Sequence, residues 1–567
     1  MKKIFNYIYS GLCVLGLVTS NISCSDFLDE TIYSELTEDN AFTTANDALS
    51  AVNALYEPLP RIVEMSIFFL NDMPTDACFK KEKDFEILNE LQLNGNSDVL
   101  TGWKRFYDIV GRANIAIDNI EGIPTEEFGD NEQEALAYKK RLMGEAYFMR
   151  GFAYYHLTDL FYTVPLINSS DVPVDAILPP ATIAELDKQI HDDLTMAITE
   201  NILPQKYASK SDAGRATYGA ALGYLCRLHM RTAGRMRQAG QDASQEWEKA
   251  LDYANQLLQL RGSVYNLQQN VWDIFDPERD ECLYNDELIF TVHSNPNSSA
   301  GTSAIGMTFT PWSYDCGWDL CSIPLELVWD FDKDDERFSK LIVTSYNDIY
   351  DPEKKKYKIP ATPKETGTIY QEITENGELK LTIYEMTSAF TQKYKYTKPL
   401  TYNYNTGNNF NFLRLADIIL CKAEILNELN GPSQEAIDLI NEIRERAFQN
   451  SEHNLKLSDY ATTEELRNAI CDERLFELNN EATRRPDLIR MGLWKNRLEK
   501  YFTAIKQKYI YNEDNVEQAT GTRPDYSANW KVYPTDLTEN DIRRYFPAPK
   551  RESDINPDLL NCRDFTR

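Results

Sequence analysis

The 567-residue chain sets 89 acidic side chains against 59 basic ones, a formal charge of −30. Such a surface repels phosphate backbones and anionic headgroups, which excludes nucleic acid as a partner and charge as the means of holding a membrane. Past the first two dozen residues no apolar run approaches the roughly 20 residues of a membrane-crossing helix, so the body is expected to be soluble.

The chain opens on Lys2 and Lys3, and residues 8–18 are almost wholly apolar, too short for a permanent span. This reads as an export leader over residues 1–23. Cys24 follows Ser23 directly, and the pattern resembles a bacterial lipoprotein site, in which the leader is cut before the cysteine and acyl chains are attached to it. Cleavage takes away two lysines and no acid, moving the charge from −30 to −32. Cys24 is then the lipidated residue and acyl chains the means of attachment to a membrane.

A first helix is expected at 44–56, with Ala45, Ala48, Leu49, Val52 and Tyr56 along one face, paired across a long excursion with 103–120. Two further pairs follow at 134–161 with 183–200 and at 212–232 with 247–260. Residues 408–447, NNFNFLRLADIILCKAEILNELNGPSQEAIDLINEIRERA, read as a helix, a Gly431-Pro432 break and a second helix. In that second helix Ala436, Leu439, Ile440, Ile443 and Ala447 line one face, and Ala416 and Ala423 let the first pack closely. The expected fold is mainly α, a right-handed tetratricopeptide-like scaffold of about four helix pairs, near 44–120, 134–200, 212–260 and 408–447, in a single domain over 24–567. Their uneven spacing leaves two long insertions, 71–102 and 263–407, where function tends to sit. The second should hold a small β-hairpin, with Ile369, Gln371, Ile373 and Leu379, Leu381, Ile383 flanking an Asn376-Gly377 turn.

Of the ten cysteines one lies in the leader and Cys24 is the proposed anchor; the other eight show no regular spacing. Cys226, Cys421 and Cys471 fall inside helical patterns and read as small core hydrophobes. Cys316 and Cys321 stand in an aromatic loop where they could bridge or line a pocket, and no Cys-x-x-Cys or His-x-x-x-His pair suggests structural zinc. Glu473, Arg474, Glu477, Arg484, Arg485 and Asp487 could be drawn as an acid/base cluster, but on a helix and its exit they read as ion pairs fixing the C-terminal packing. The five histidines are scattered and none has a serine or cysteine motif beside it; His156, in the aromatic helix, reads as core. Neither catalysis nor a metal or other cofactor is expected.

Five stretches, in order, resemble the SusD/RagB family of outer-membrane nutrient-binding lipoproteins: CSDFLDE at 24–30, RLMGEAYFMRGFAYYHLTDLFYTVPL at 141–166, FLRLADIILCKAEILNELNG at 412–431, CDERLFELNNEATRRPDLIRMG at 471–492 and YFPAPKRESDINPDLLNC at 545–562. The chain departs from the family pattern where Asn479-Asn480 and Ala482-Thr483 replace the usual glycine near the arginine, and where Ala548 replaces a common isoleucine.

The resemblance implies a binding protein that captures oligosaccharide, or peptide in the RagB branch, and passes it to a SusC-like TonB-dependent barrel from the cell surface. An anchored glycoside hydrolase is the competing class. A sugar stacks its C–H face on an aromatic ring and offers hydroxyls to short polar side chains. In 295–319, NPNSSAGTSAIGMTFTPWSYDCGWD, that chemistry selects Phe309, Trp312, Tyr314 and Trp318 as platforms and Asp315 or Asp319 as hydroxyl acceptors, with Gly317 allowing close approach. The family also draws ligand residues from the excursion after the first helix, here Asn71, Asp72, Asp76 and Phe79. Trp272 and Trp329, among apolar neighbours, are assigned to packing.

Overall fold

A computed structural model describes residues 42–73, 75–78, 97–173, 175–275, 284–294, 304–310, 317–318, 320–321, 323–343, 345–347, 355–358, 370–375, 378–382, 388–395, 406–499 and 544–561. The leader and Cys24 lie outside the described residues.

Eight helices form four antiparallel hairpins, and local chemistry sets their ends. Helix α1 (Ala45–Tyr56) begins where Thr44 and Asp47 cap each other's backbone N–H. Its partner α2 (Ser97–Ile120) starts six residues ahead of the expected Trp103. Helix α3 (Glu132–Phe161) opens on an Asn131 cap and from Gly144 onward is buried on nearly every side, which is why its sequence carries so little polar face. Helix α4 (Ile183–Ile198) has a Thr182–Glu185 capping box. Helix α5 (Tyr218–Gln238) is capped by Thr217, so it runs later than the expected 212–232, and 210–212 form a separate short turn. Helix α6 (Ser244–Leu258) returns along it. Helices α7 (Leu415–Asn430) and α8 (Gln434–Phe448) meet at Gly431, whose φ of 74° supplies the left-handed break. Successive hairpins pack α2 on α3, α4 on α5 and α6 on α7, the nearest-neighbour stacking of a helical solenoid. Helix α9 (Thr463–Leu478) packs against α7, and α10 (Arg484–Met491) follows it. No helix among the described residues is long and apolar enough to cross a membrane.

The expected helix from Asn408 is corrected at its start. Residues Phe410–Arg414 form a strand, β9, antiparallel to β1 (Leu288–Val292), and α7 begins only at Leu415. All five β9 residues are buried, so both faces pack; a fully buried strand has no alternation and blends into the apolar pattern of the helix behind it. The pair β1–β9 closes the mouth of the long insertion over an aromatic nest of Phe148, Phe152, Tyr224, Phe290 and Phe412. His156 belongs to that nest: its ring stacks on Phe106, its Nε2 meets the Tyr224 hydroxyl at 3.1 Å, and burial holds its pKa well below the usual imidazole range.

Inside the insertion the expected hairpin is present. Strand β6 (Tyr370–Glu375) pairs antiparallel with β7 (Glu378–Thr382), Glu375 opposite Glu378, while Asn376 and Gly377 lie outside the described residues. It is larger than expected, because β4 (Ser345–Asn347) and β5 (Lys355–Lys358) extend it to an antiparallel sheet of four strands. A second small sheet joins β2 (Ile323–Pro324) and β3 (Ile342–Val343) to β8 (Ser388–Thr391). Trp272 and Trp329 are half-buried against separate apolar clusters.

Candidate functional site

The C-terminal charges form a buried lattice. Glu473 accepts from Arg337 at 2.7 Å and Arg444 at 2.8 Å, and Glu477 receives Arg414 at 2.6 Å together with Arg446 and Arg337. Arg474 bridges Asp417 at 2.6 Å and Asp487 at 2.7 Å. Burial alone would raise the Glu477 carboxyl, but the three guanidiniums hold it well below the ordinary range. Arg485 lies over the Phe546 ring at 4.4 Å and donates to the Arg544 carbonyl; burial lowers its pKa to about 10. These side chains hold α9, α10, β9 and the insertion together, as their place on a helix and its exit suggested.

The three polar residues expected to meet ligand in the first insertion do something else. Asn71 and Asp72 end a helical segment over 59–71 and are 1% and 0% exposed. Asp72 accepts from the backbone N–H of Ala482 at 2.7 Å and of Arg484 at 3.2 Å, while Asn71 donates to the Ala482 carbonyl at 3.2 Å. Asp76 takes two hydrogen bonds from Arg484, at 2.6 and 2.7 Å. Their reading as ligand residues is therefore corrected: they fasten the insertion to the turn before α10. In that turn Asn480 and Ala482 both have φ of 58°, the left-handed conformation that glycine, usual there in the resembled family, adopts without strain.

The aromatic loop is fixed from below in the same way. Helix residues Ile305–Phe309 sit on the 59–71 segment, where the Ala304 N–H donates to Glu64 at 2.9 Å. Phe309 is 1% exposed, edge-on to Phe68 at 5.0 Å and stacked on Tyr394 at 4.8 Å. It is a core ring and not an open platform, because its helix turns it toward the scaffold. The chain then returns: Trp318 N–H donates to the Met307 carbonyl, and those of Leu320 and Cys321 to Thr308. A Cβ on Gly317 would lie 2.0 Å from the Thr310 carbonyl oxygen, so the close approach its missing side chain permits is to the protein's own backbone. Trp318 emerges half-buried. Trp312, Tyr314, Asp315, Asp319 and Phe79 lie outside the described residues.

What brings the two stretches together is a disulfide between Cys78 and Cys321, 243 residues apart, with Cα atoms 6.1 Å apart. The possible Cys316–Cys321 bridge is thereby corrected, since Cys321 is already bonded. Both insertions meet here: Cys78 adjoins Phe79, and Cys321 stands three residues past Trp318. Sequence reasoning had placed these stretches in one site but missed the bond; the signal available was that each insertion carries a cysteine. The other described cysteines, Cys226, Cys421 and Cys471, are buried thiols, and burial raises the last two to about 12 and about 11.

A shallow polar cleft of about 580 Å³ opens elsewhere, between 267–269 and the end of α8, lined by Gln268, Gln269, Glu445, Arg446, Gln449 and Asn450 among others. It contains none of the expected ligand residues and no aromatic ring. Among the described residues no group of three or more His, Cys, Asp or Glu side chains is arranged to hold a metal ion.

Two family models match the chain. The one described as the SusD family covers residues 322–562, and the one described as starch-binding associating with outer membrane covers 26–230. SusD-like protein P2 of Formosa agariphila is 27% identical over 503 residues, 84% of this chain and 89% of that protein. A SusD homologue from Bacteroides thetaiotaomicron superposes with a TM-score of 0.69 at 22% identity, covering 92% of this chain and 98% of its own. A laminarin-binding SusD-like protein superposes at 0.61 with 19% identity over 91% and 98%.

Proposed function

Because the chain belongs to the SusD/RagB family, we propose that it is a cell-surface lipoprotein, anchored through Cys24, that captures a glycan and delivers it to a SusC-like TonB-dependent transporter. The observation that carries the reading is the Cys78–Cys321 bond, which ties the insertion carrying Phe79 to the loop carrying Trp312, Tyr314 and Trp318. A disulfide persists in an oxidising compartment outside the cytosol, which agrees with export. The laminarin-binding relative of the same fold supports a saccharide as cargo.

Capture needs no bond-making. A half-buried Trp318, with Trp312 and Tyr314 of the same loop, would stack on the C–H face of a ring, and Asp315 or Asp319 would accept hydroxyl protons. Holding the module beside a transporter raises the effective ligand concentration, so weak contacts suffice. The disulfide and the grip of Asp72 and Asp76 on the α10 turn hold the bases of both loops before ligand arrives, which limits the entropy lost on binding.

A glycan array probed with the protein lacking residues 1–23 tests this. Retention of a defined saccharide, with no new reducing ends on incubation, is the expected result. Retention of peptides alone would place the chain with the RagB branch, and release of reducing ends would make it a hydrolase.

A further inference from the structure

His191 on α4 and His229 on α5 face each other across the seam between the second and third helical hairpins. His191 Nδ1 lies 3.1 Å from His229 Nε2. On its other side His229 Nδ1 meets a Glu246 carboxylate oxygen from α6 at 2.6 Å, and Glu246 is in turn held by Lys249 at 2.7 Å. Tyr253 stacks flat on the His229 ring, centroids 5.6 Å apart, so that ring has little freedom to turn. The carboxylate fixes the proton of His229 on Nδ1 and points the Nε2 lone pair at His191.

We infer that these two imidazoles form a binding site for a divalent transition-metal ion of the zinc type, clamping the two hairpins together. Two ring nitrogens on one tetrahedral zinc, each bonded at 2.0–2.1 Å, stand about 3.3 Å apart, close to the spacing already present. A carboxylate behind a histidine ligand is the arrangement that orients metal-bound imidazoles and raises their basicity. His191 is half-buried and reaches solvent, which leaves an ion a path to the pair. To ligate, His191 moves its proton from Nδ1 to Nε2, where Thr195 Oγ1 lies 3.5 Å away to receive it as a hydrogen bond. The strongly acidic surface concentrates cations around it. In a solenoid each hairpin is stabilised through its contacts with its neighbours, so an ion at this seam tightens one such contact directly.

Isothermal titration of the purified protein with zinc chloride, alongside thermal unfolding, tests the inference. Wild type is expected to take up one zinc per chain and to gain about 3 °C in Tm at a hundredfold excess over Kd. His191→Ala and His229→Ala should both abolish that uptake and that gain, and Glu246→Gln should weaken binding about tenfold. His191, half-exposed, is the substitution least able to disturb folding, so it decides the case if the His229 variant does not fold. Zinc uptake that is absent from wild type, or that survives in His191→Ala, overturns the site.

Discussion

Asp76 in the first insertion and Arg484 at the start of α10 form a two-point ion pair, Nε to Oδ1 at 2.6 Å and Nη2 to Oδ2 at 2.7 Å. It is the charged half of the joint that fixes the loop base. Burial would raise the Asp76 carboxyl, and the guanidinium beside it reverses this and leaves it below the ordinary value. A lowered folded pKa means its stabilising contribution is present above the unfolded value of 3.8 and is lost as pH falls through the folded one. Asp76→Ala strands Arg484, whose side chain is 2% exposed, and should cost about 3 kcal/mol in urea unfolding at pH 7. The deficit should shrink below pH 4; an unchanged deficit at pH 3 would show that the pair contributes nothing electrostatic.

The disulfide should matter to binding more than to the helices. Replacing Cys78 and Cys321 together by Ser frees a 243-residue link, and such losses typically cost about 2–5 kcal/mol. Far-UV circular dichroism should be nearly unchanged, while affinity for whichever glycan the wild type retains should fall about tenfold. Equal affinity in the double variant would mean that the loops are organised without the bond.

Asp72 has the opposite pH signature. Burial raises its carboxyl to about 7, against the pull of the Ala482 and Arg484 N–H donors, with Glu481 adding to the rise. The folded value lies above the unfolded 3.8, so this group favours the fold fully below about pH 4, and that contribution is lost as pH rises through about 7. Asp72→Asn removes the titration. Unfolding free energies of the two proteins measured from pH 5 to 8 should therefore drift apart in favour of the variant as pH rises, and parallel profiles would refute the raised value.

The turn that receives Asp72 explains a family departure. Ala482 holds φ of 58°, where a Cβ crowds the backbone at a cost of about 1–2 kcal/mol. Ala482→Gly should stabilise the protein by about 0.5–1 kcal/mol, the relief of strain less the entropy glycine adds to the unfolded chain. Ala482→Val should destabilise it. A glycine variant less stable than wild type in denaturant titration would show that the methyl group, 8% exposed, packs more than it strains.

The helical pairs were legible because a 3.6-residue period with its caps is a local signal: Thr44, Thr182 and Ser433 each stand where a helix begins. The Glu473–Asp487 charges could be read as packing because they lie on a helix and its exit, although most of their partners, Arg337, Arg414, Arg444 and Arg446, come from elsewhere in the chain. The site was less legible for a physical reason. A carboxylate that accepts backbone N–H groups, as Asp72 does, has the same sequence appearance as one that accepts sugar hydroxyls. The partner that separates the two roles lies 410 residues away. Cys78 and Cys321 pose the same difficulty, since only the folded path of both insertions brings them within bonding distance.

Phe309 and Trp318, nine residues apart in one loop, were both read as sugar platforms; the fold buries Phe309 and leaves Trp318 half-buried. Phe309 fills a core between Phe68 and Tyr394, so Phe309→Ala should cost about 3–5 kcal/mol and lower Tm, with ligand affinity affected only as far as the loop loosens. Trp318 is half-buried on a strip of backbone that its own N–H ties to Met307. On the proposed function, Trp318→Ala should leave Tm within about 2 °C and lessen the protein's retardation in glycan-affinity gels, with Kd about tenfold weaker, because the ring proposed to stack on the sugar is removed while the strip that carries it stays in place. If the Phe309 variant loses affinity at unchanged Tm, or the Trp318 variant loses Tm at unchanged affinity, the assignment of rim and core in this loop is inverted.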